Sequence, residues 1–342
     1  MLLLASEFLN LAKFHPVIDV RTPAEFELGH IPGAFNIPLF SNEERAIVGT
    51  IYKNTGKEAA VYKGLELVGP KLSQFVSQAK EISEANELLV YCWRGGMRSQ
   101  SMAWLMNTAG FRAHTLSGGY KGFRRHIRTS FYQGSNLIVL GGYTGSGKTY
   151  ILNEISKLGN QIIDLEQIAH HKGSAFGHIG QAAQPSTEQF ENLLGLQWLA
   201  QNSEDMVWVE DESKAIGRVF QPEPFYIKLR NAPVIFIDMP VERRIKHLVD
   251  DYAGIDHQAL EDSLGRIVKR LGGNNYQEAL LALAEKDYAT VARISLNYYD
   301  KAYLYGVGQR NPNLVHRIEV SEESYSQIAV KILEYVQNQK IS

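Results

Sequence analysis

The chain has 342 residues, a formal net charge of −2, and 44% hydrophobic and 21% charged residues. That is the balance of a soluble globular protein, and it excludes a disordered chain, a coiled coil and nucleic-acid binding through bulk positive charge. The single cysteine, Cys92, allows no internal disulfide and no cysteine-rich zinc site, and it suits a reducing compartment, so the expected location is the cytoplasm.

The N-terminal MLLLASEFLNLAKF has no basic region and is interrupted by Glu7, so it reads as an amphipathic start of the fold. No apolar run approaches the ~20 residues of a membrane span. Residues 14–19 (FHPVID) predict a short buried strand, and Thr22-Pro23-Ala24-Glu25 a helix N-terminus with Thr22 as cap. Residues 29–38 read as loop and turn, and 41–87 as helices. Leu88 to Tyr91 predicts a buried strand that delivers Cys92 to a loop, with a helix from Ser99 to Gly110 leaving it. His114-Thr115-Leu116 is a short strand closed by Gly118-Gly119. From Leu137, LIVLGGYTGSGKTYILNEI predicts strand, glycine loop and helix, and 207–211 and 234–238 predict apolar strands ending in acids. Strands alternating with helices indicate parallel α/β sheets. The expected domains are 1–130 and 131–342, the second with a C-terminal helical region, linked through the basic and aromatic stretch 123–136.

Charge is uneven: residues 1–134 carry +4 and 135–342 carry −6. The 66 residues between Glu87 and Glu154 contain no acid, yet hold Arg94, Arg98, Arg112, Lys121, Arg124, Arg125, Arg128 and Lys148. A solvated basic face is one explanation, and a surface facing anions is the other. Two glycine loops inside the stretch favour anions.

The first is VYCWRGGMRSQS. Loop amides at a helix N-terminus form an anion nest, and that field favours a thiolate over a thiol. Arg98 adds a planar cation suited to a tetrahedral oxyanion. The pattern supplies a nucleophilic sulfur beside an anion cradle. The second loop, Gly142 to Thr149, fits G-x-x-x-x-G-K-[ST] and lies between a predicted strand and helix. Gly142, Gly145, Ser146 and Gly147 would cradle a diphosphate, Lys148 would neutralise it, and Thr149 could reach a Mg2+ ion with Asp211 or Glu210 as the further acid. Arg243, after the 234–238 strand, either faces the phosphates or is exposed. His170, His171 and His178 match no metal motif and read as a polar loop, and no metal site is expected from protein ligands alone. Tyr298-Tyr299 and Tyr303-Tyr305 would stack bases or pack a helix.

The segments IDVRTPAEFELGHIPGAFNIP (18–38), the Cys92 loop and LSGGY (116–120) resemble the rhodanese family of sulfurtransferases. The resemblance implies a three-layer α/β/α domain with Cys92 as the sulfur carrier and with Asp19 and Arg21 as structural residues. Five residues separate Cys92 from Arg98, one more than in the common sulfurtransferase loop, as in dual-specificity phosphatases of this fold; that length leaves room for a phosphate-sized group. A rhodanese-like domain followed by a P-loop NTPase-like domain with a parallel sheet is similar to the family of bacterial tRNA 2-selenouridine synthases. Further segments carrying that resemblance are 49–70 and VWVEDESKAIGRV (207–219).

That resemblance implies conversion of wobble 2-thiouridine in tRNA to 2-selenouridine, through S-geranylation by geranyl diphosphate and selenation by selenophosphate. Cys92 is then the selenium or sulfur carrier and is catalytic with Arg98; Arg94, Gly95 and Gly96 complete the phosphate-holding loop, and the P-loop with Asp211 and Arg243 holds the diphosphate. Arg112, Lys121, Arg124, Arg125 and Arg128 are assigned to the tRNA backbone. A selenophosphate-producing enzyme is an implied partner, a membrane is not, and a monomer is expected. The alternatives are a rhodanese-fold sulfurtransferase or phosphatase with a fused nucleotide-binding domain, and a P-loop kinase with a rhodanese-like binding module.

Overall fold

The computed structural model describes residues 1–341 except 84, 253 and 255. It divides into two compact units, Met1–Ser130 with Glu191–Leu193, and Phe131–Phe190 with Leu194–Ser342.

The first unit contains β1 (Leu2–Leu3), α1 (Ala5–Leu11), β2 (Val17–Asp19), α2 (Pro23–Leu28), β3 (Phe35–Asn36), α3 (Asn42–Asn54), α4 (Lys57–Val68), α5 (Leu72–Ile82), β4 (Glu87–Tyr91), α6 (Met97–Thr108), β5 (Arg112–Leu116) and α7 (Gly119–Ser130). Its five parallel strands are ordered β1-β5-β4-β2-β3. Period-two alternation decides which layer each side chain serves. Leu88 and Val90 join Phe75 and Ala79 of α5 and Met102 and Met106 of α6 in one core cluster. Tyr91 instead meets Phe8 of α1, with ring centroids 6.5 Å apart, and Tyr120 of α7 at 6.2 Å. The sheet is therefore covered on both faces, as the three-layer expectation requires. Thr22 caps α2 as expected, and the Thr22 N–H donates to Glu25 Oε2 at 3.0 Å. Residues 123–130, expected in the link, instead complete α7, because Phe123 and Ile127 are fully buried one turn apart.

The second unit contains β6 (Leu137–Gly142), α8 (Lys148–Lys157), β7 (Gln161–Ile163), α9 (Leu165–Ala169), α10 (Thr187–Leu199), β8 (Val207–Glu210), β9 (Ala215–Ile216), β10 (Val219–Phe220), α11 (Glu223–Asn231), β11 (Val234–Asp238), α12 (Val241–Tyr252), α13 (His257–Arg266), α14 (Val268–Leu271), α15 (Gly273–Ala284), α16 (Tyr288–Gly308), β12 (Val315–Glu319) and α17 (Tyr325–Gln339). Its main sheet is parallel, in the order β12-β11-β6-β8-β7, and β9 and β10 form a separate antiparallel pair. The glycine loop thus leaves the central strand, where β11 and β8 fix β6 on both sides. Ile138, Leu140, Ile235 and Ile237 pack with Ile151 and Ile155 of α8 and Ile328 and Ile332 of α17. Helices α13 to α16 build a core of their own around Leu264, Ile267, Leu283 and Val291. Among the described residues no helix is long and apolar enough to cross a membrane.

Candidate functional site

In the first unit, β4 ends one residue before Cys92 and α6 begins at Met97, so five residues carry the chain from a sheet edge to a helix N-terminus. Cys92 is 3% exposed, and its Sγ lies 3.1 Å from Ser99 Oγ. Ser99, fully buried, also donates to the Gly96 carbonyl at 3.1 Å. Its hydroxyl has one proton, so it can serve the carbonyl beside a thiol and the sulfur beside a thiolate. The loop is clamped from the other side by the LSGGY segment. Tyr120 N–H donates to Cys92 O at 2.8 Å, and Lys121 N–H to Trp93 O at 3.0 Å. This approach requires glycine at 119, where φ is +58° and a Cβ would stand 2.3 Å from Cys92 O and 2.4 Å from Gly95 N.

Beneath the loop, Arg21 and Asp19 form a fully buried pair at 2.6 Å. The Arg21 guanidinium carbon is 3.8 Å from the Tyr120 ring centroid, and Nη2 also donates to Gly29 O at 2.6 Å. These bonds tie β2 to the 29–38 turn and to α7, matching the structural role implied for the pair. Arg98 lies in α6, and its Nη1 donates to Glu25 Oε2 at 2.8 Å. Burial opposes ionisation of Glu25, but Arg98 and the Thr22 amide outweigh it and hold the carboxyl below its usual range. Arg98 therefore enters the site already paired, a partner the local motif did not reveal. Arg94 is exposed on the loop.

Of the basic residues assigned to RNA, Lys121, Arg125 and Arg128 are exposed on α7 at a spacing that places them on one face. Arg112 is exposed at the start of β5, 3.8 Å from Glu87. Arg124 departs from the expectation. It is mostly buried, pairs with Glu191 and donates to Asn192 Oδ1 at 2.8 Å, both within the segment that clusters with this unit.

In the second unit, the loop from Gly142 to Lys148 closes over the end of β6. Gly147, at φ +71°, is the N-cap of α8, and a Cβ there would lie 2.5 Å from the Tyr325 ring. Lys148 Nζ donates to Gly142 O at 3.2 Å. Ser146 Oγ is buried without a hydrogen-bond partner. The Thr149 hydroxyl is 2.6 Å from Glu210 Oε1 and 3.1 Å from Glu166 Oε2. Burial first, and neighbouring carboxylates second, push Glu210 and Glu212 well above the ordinary carboxylate range. Burial also raises Asp164 and Glu166, the latter against the pull of Lys148.

For two residues the structure separates the alternatives. Asp211 does not face Thr149: it accepts from Tyr303 Oη at 2.8 Å and pairs with the buried Arg310. Consecutive residues at a strand end point to opposite sides, so Glu210 takes the place given to Asp211. Arg243 does not face the loop either, since its Nη2 donates to Glu323 O at 2.6 Å and its Nη1 to Ser321 O at 2.5 Å. The arginine that meets the loop is Arg244, which donates to Thr144 O at 3.2 Å and holds Asp300 through two 2.8 Å bonds.

Tyr303, read as a base-stacking or helix-packing residue, instead meets the P-loop: its Oη accepts from the Gly142 N–H at 2.9 Å. Burial and then the Asp211 carboxylate hold this phenol well above its usual range, so it stays protonated and donates to Asp211. Only the tyrosine-rich stretch of α16 hinted at it. His171 is buried and His178 Nδ1 accepts from Arg266 at 3.2 Å. The P-loop opens on a cavity of about 1260 Å3, whose lining runs from Thr144 and Lys148 to Leu260, Val291 and Leu296.

A family model described as the tRNA 2-selenouridine synthase AAA domain matches residues 135–338, and one described as the rhodanese-like domain matches residues 4–126. The chain is 38% identical to the tRNA 2-selenouridine synthase of Bdellovibrio bacteriovorus, across 88% of this chain and 91% of that one. It is 35% identical to the tRNA 2-selenouridine synthase of Nitrosomonas europaea, across 87% and 90%. Against the tRNA 2-selenouridine synthase of Aeromonas salmonicida the identity is 34%, across 89% and 90%.

Proposed function

The chain belongs to the tRNA 2-selenouridine synthase family, and we propose from that premise that it converts wobble 2-thiouridine in tRNA to 2-selenouridine. The observation that carries the reading is the pairing of two anion loops of different chemistry in one chain. One surrounds the only thiol, and the other opens on a large cavity that is part charged and part apolar.

In the first reaction, the thiocarbonyl sulfur of the uridine attacks C1 of geranyl diphosphate. An S–C bond forms, the C–O bond breaks, diphosphate leaves, and the N3 proton passes to solvent. Lys148 and the loop amides would hold the diphosphate. Leu260, Val291 and Leu296 give the cavity the apolar wall that a geranyl tail needs. Mg2+ suits the oxygen donors Thr149, Glu166 and Glu210, which would hold it and offset charge on the diphosphate. Among the described residues no three His, Cys, Asp or Glu side chains are grouped to hold a metal unaided. The ion would therefore take its remaining ligands from diphosphate and water.

In the second reaction, Cys92 takes selenophosphate covalently. Attack at phosphorus forms S–P, breaks P–Se and frees hydroselenide. Hydroselenide then adds at C2 of the geranylated uridine and expels geranyl thiolate, while hydrolysis of the phosphocysteine returns the thiol and phosphate. Attack at selenium would instead leave a Cys92 selenylsulfide and expel phosphite. The five-residue spacing from Cys92 to Arg98 favours the phosphorus route, because the loop has room for a phosphoryl group. A selenophosphate-forming enzyme must supply the donor.

The test is mass spectrometry of nucleosides after the full chain acts on thiolated tRNA. Cys92→Ser should accumulate the S-geranylated nucleoside and make no 2-selenouridine, and undiminished 2-selenouridine would overturn the reading. Lys148→Ala should lose the geranylated nucleoside. Intact geranylation with only selenation lost would remove geranyl diphosphate from the P-loop.

A further inference from the structure

The P-loop cavity is larger than one donor needs. At about 1260 Å3 it exceeds the roughly 300–1,000 Å3 of pockets that take a single ligand. Part of its wall also carries groups that an isoprenoid diphosphate does not use. Tyr298 and Ser295 of α16 lie one helical turn apart on the same face, and both line the cavity. The Arg270 guanidinium carbon is 5.8 Å from the Tyr298 ring centroid. Arg266, one turn before Arg270, is exposed and also lines the cavity. It donates to His178, and it acts electrostatically on His171.

Two buried atoms here are unpaired. Ser295 Oγ and His171 Nδ1 have no hydrogen-bond partner in the protein, although Ser295 is 5% exposed and His171 7% exposed. Buried polar groups are nearly always satisfied, so an unpaired pair lining one cavity points to a ligand that bonds them. Burial, His178 and Arg266 together keep the His171 imidazole neutral, leaving a ring nitrogen able to accept.

We propose that this wall is the acceptor-nucleotide subsite: a pyrimidine base stacks on Tyr298, with Ser295 and His171 at its edge and its flanking phosphates on Arg266 and Arg270. The proposal rests on the reading of the chain as a tRNA-modifying enzyme. A uracil-type pyrimidine has a C4 carbonyl that accepts from the Ser295 hydroxyl and an N3–H that donates to neutral His171. A ring face stacks on tyrosine whatever the base, and planar guanidinium groups grip phosphate through two bonds at once. The second unit therefore has its own RNA contact, separate from the basic face of α7, and it brings the uridine into the cavity that holds the prenyl donor.

The test is fluorescence anisotropy of a labelled anticodon stem-loop with 2-thiouridine at the wobble position, bound to the full chain at two salt concentrations. Tyr298→Leu should weaken binding by about tenfold. Arg270→Ser, at an exposed position that does not threaten folding, should weaken it about tenfold and reduce the salt slope by about one. Tyr298→Phe should bind as the parent does. Affinity for geranyl diphosphate should stay within about twofold in all three, which also certifies the fold. A parent chain that binds the stem-loop while Arg270→Ser and Tyr298→Leu bind it equally well overturns the subsite alone. Loss of geranyl diphosphate affinity in Tyr298→Leu, with stem-loop affinity kept, also overturns it and gives the wall to the prenyl tail. A parent chain that binds no thiolated stem-loop overturns the functional reading, and the subsite with it.

Discussion

The Cys92 loop and the P-loop are built alike and supported differently. Each leaves a parallel strand, turns on glycines and enters a helix N-terminus, at Met97 in one and Lys148 in the other. The Cys92 loop is held by backbone, since Tyr120 and Lys121 amides bond its carbonyls and Gly119 packs directly on it. The P-loop is held by side chains: Tyr303 at Gly142, Arg244 at Thr144, Tyr325 at Gly147 and Glu210 at Thr149. Charge separates them further. The cysteine's neighbours at its sulfur are a hydroxyl and a carbonyl, whereas the P-loop faces carboxyl groups that burial and repulsion hold toward protonation. The first arrangement fixes the position of a sulfur, which the proposed nucleophile needs. The second crowds carboxyl groups together, which the proposed cation and diphosphate would answer.

Breaking the backbone clamp should have the largest effect. Gly119→Ala forces a Cβ into the Cys92 carbonyl and should lower selenation by about 100-fold or more, since a misplacement near 1 Å costs that much. Binding of geranyl diphosphate should be untouched, and selenation at the parental rate would show that the clamp is dispensable. Lys148→Ala should weaken geranyl diphosphate binding by about tenfold to a hundredfold, the worth of one charged hydrogen bond. The same variant should leave iodoacetamide alkylation of Cys92 unchanged, and calorimetry with a thiol assay reads both.

Ser99→Ala tests the hydroxyl at the sulfur. The chain has one cysteine, so alkylation reports on Cys92 alone. Its rate should fall by about tenfold, as loss of a hydrogen-bond donor at the sulfur requires. Ser99→Thr should restore it, and an unchanged rate would reduce Ser99 to packing.

The smallest effect is expected at Glu210. Its folded carboxyl holds a proton above the range in which the unfolded chain releases it. Between those two values the native state binds more protons, so Glu210's stabilising contribution is present below the ordinary carboxylate pKa and is lost as pH rises through the raised one. Scanning calorimetry should show Tm falling as pH rises from weakly acidic to alkaline. Glu210→Gln should flatten that fall and raise Tm at alkaline pH by about 2–4 °C. An unchanged pH slope would place the effect of the crowded carboxyl groups elsewhere.

What the sequence alone determined is local and contiguous. Hydrophobic runs ending in Cys92 and Gly142, glycines at fixed offsets, the Thr22 cap with Glu25, and an acid-free stretch of 66 residues are all set by neighbours in the chain. These made the α/β fold and both anion loops legible. Tertiary structure decided which side chains reach them. Glu210 and Asp211 are adjacent and alike, and only the orientation of β8 sends one to Thr149 and the other to Arg310. Arg243 and Arg244 divide the same way on α12. Arg98 meets Glu25 across 73 positions, and Tyr303 meets Gly142 across 161. Spacing in a sequence encodes a loop because its conformation depends on consecutive residues. It does not encode these partners, because they are chosen by the packing of helices onto a sheet.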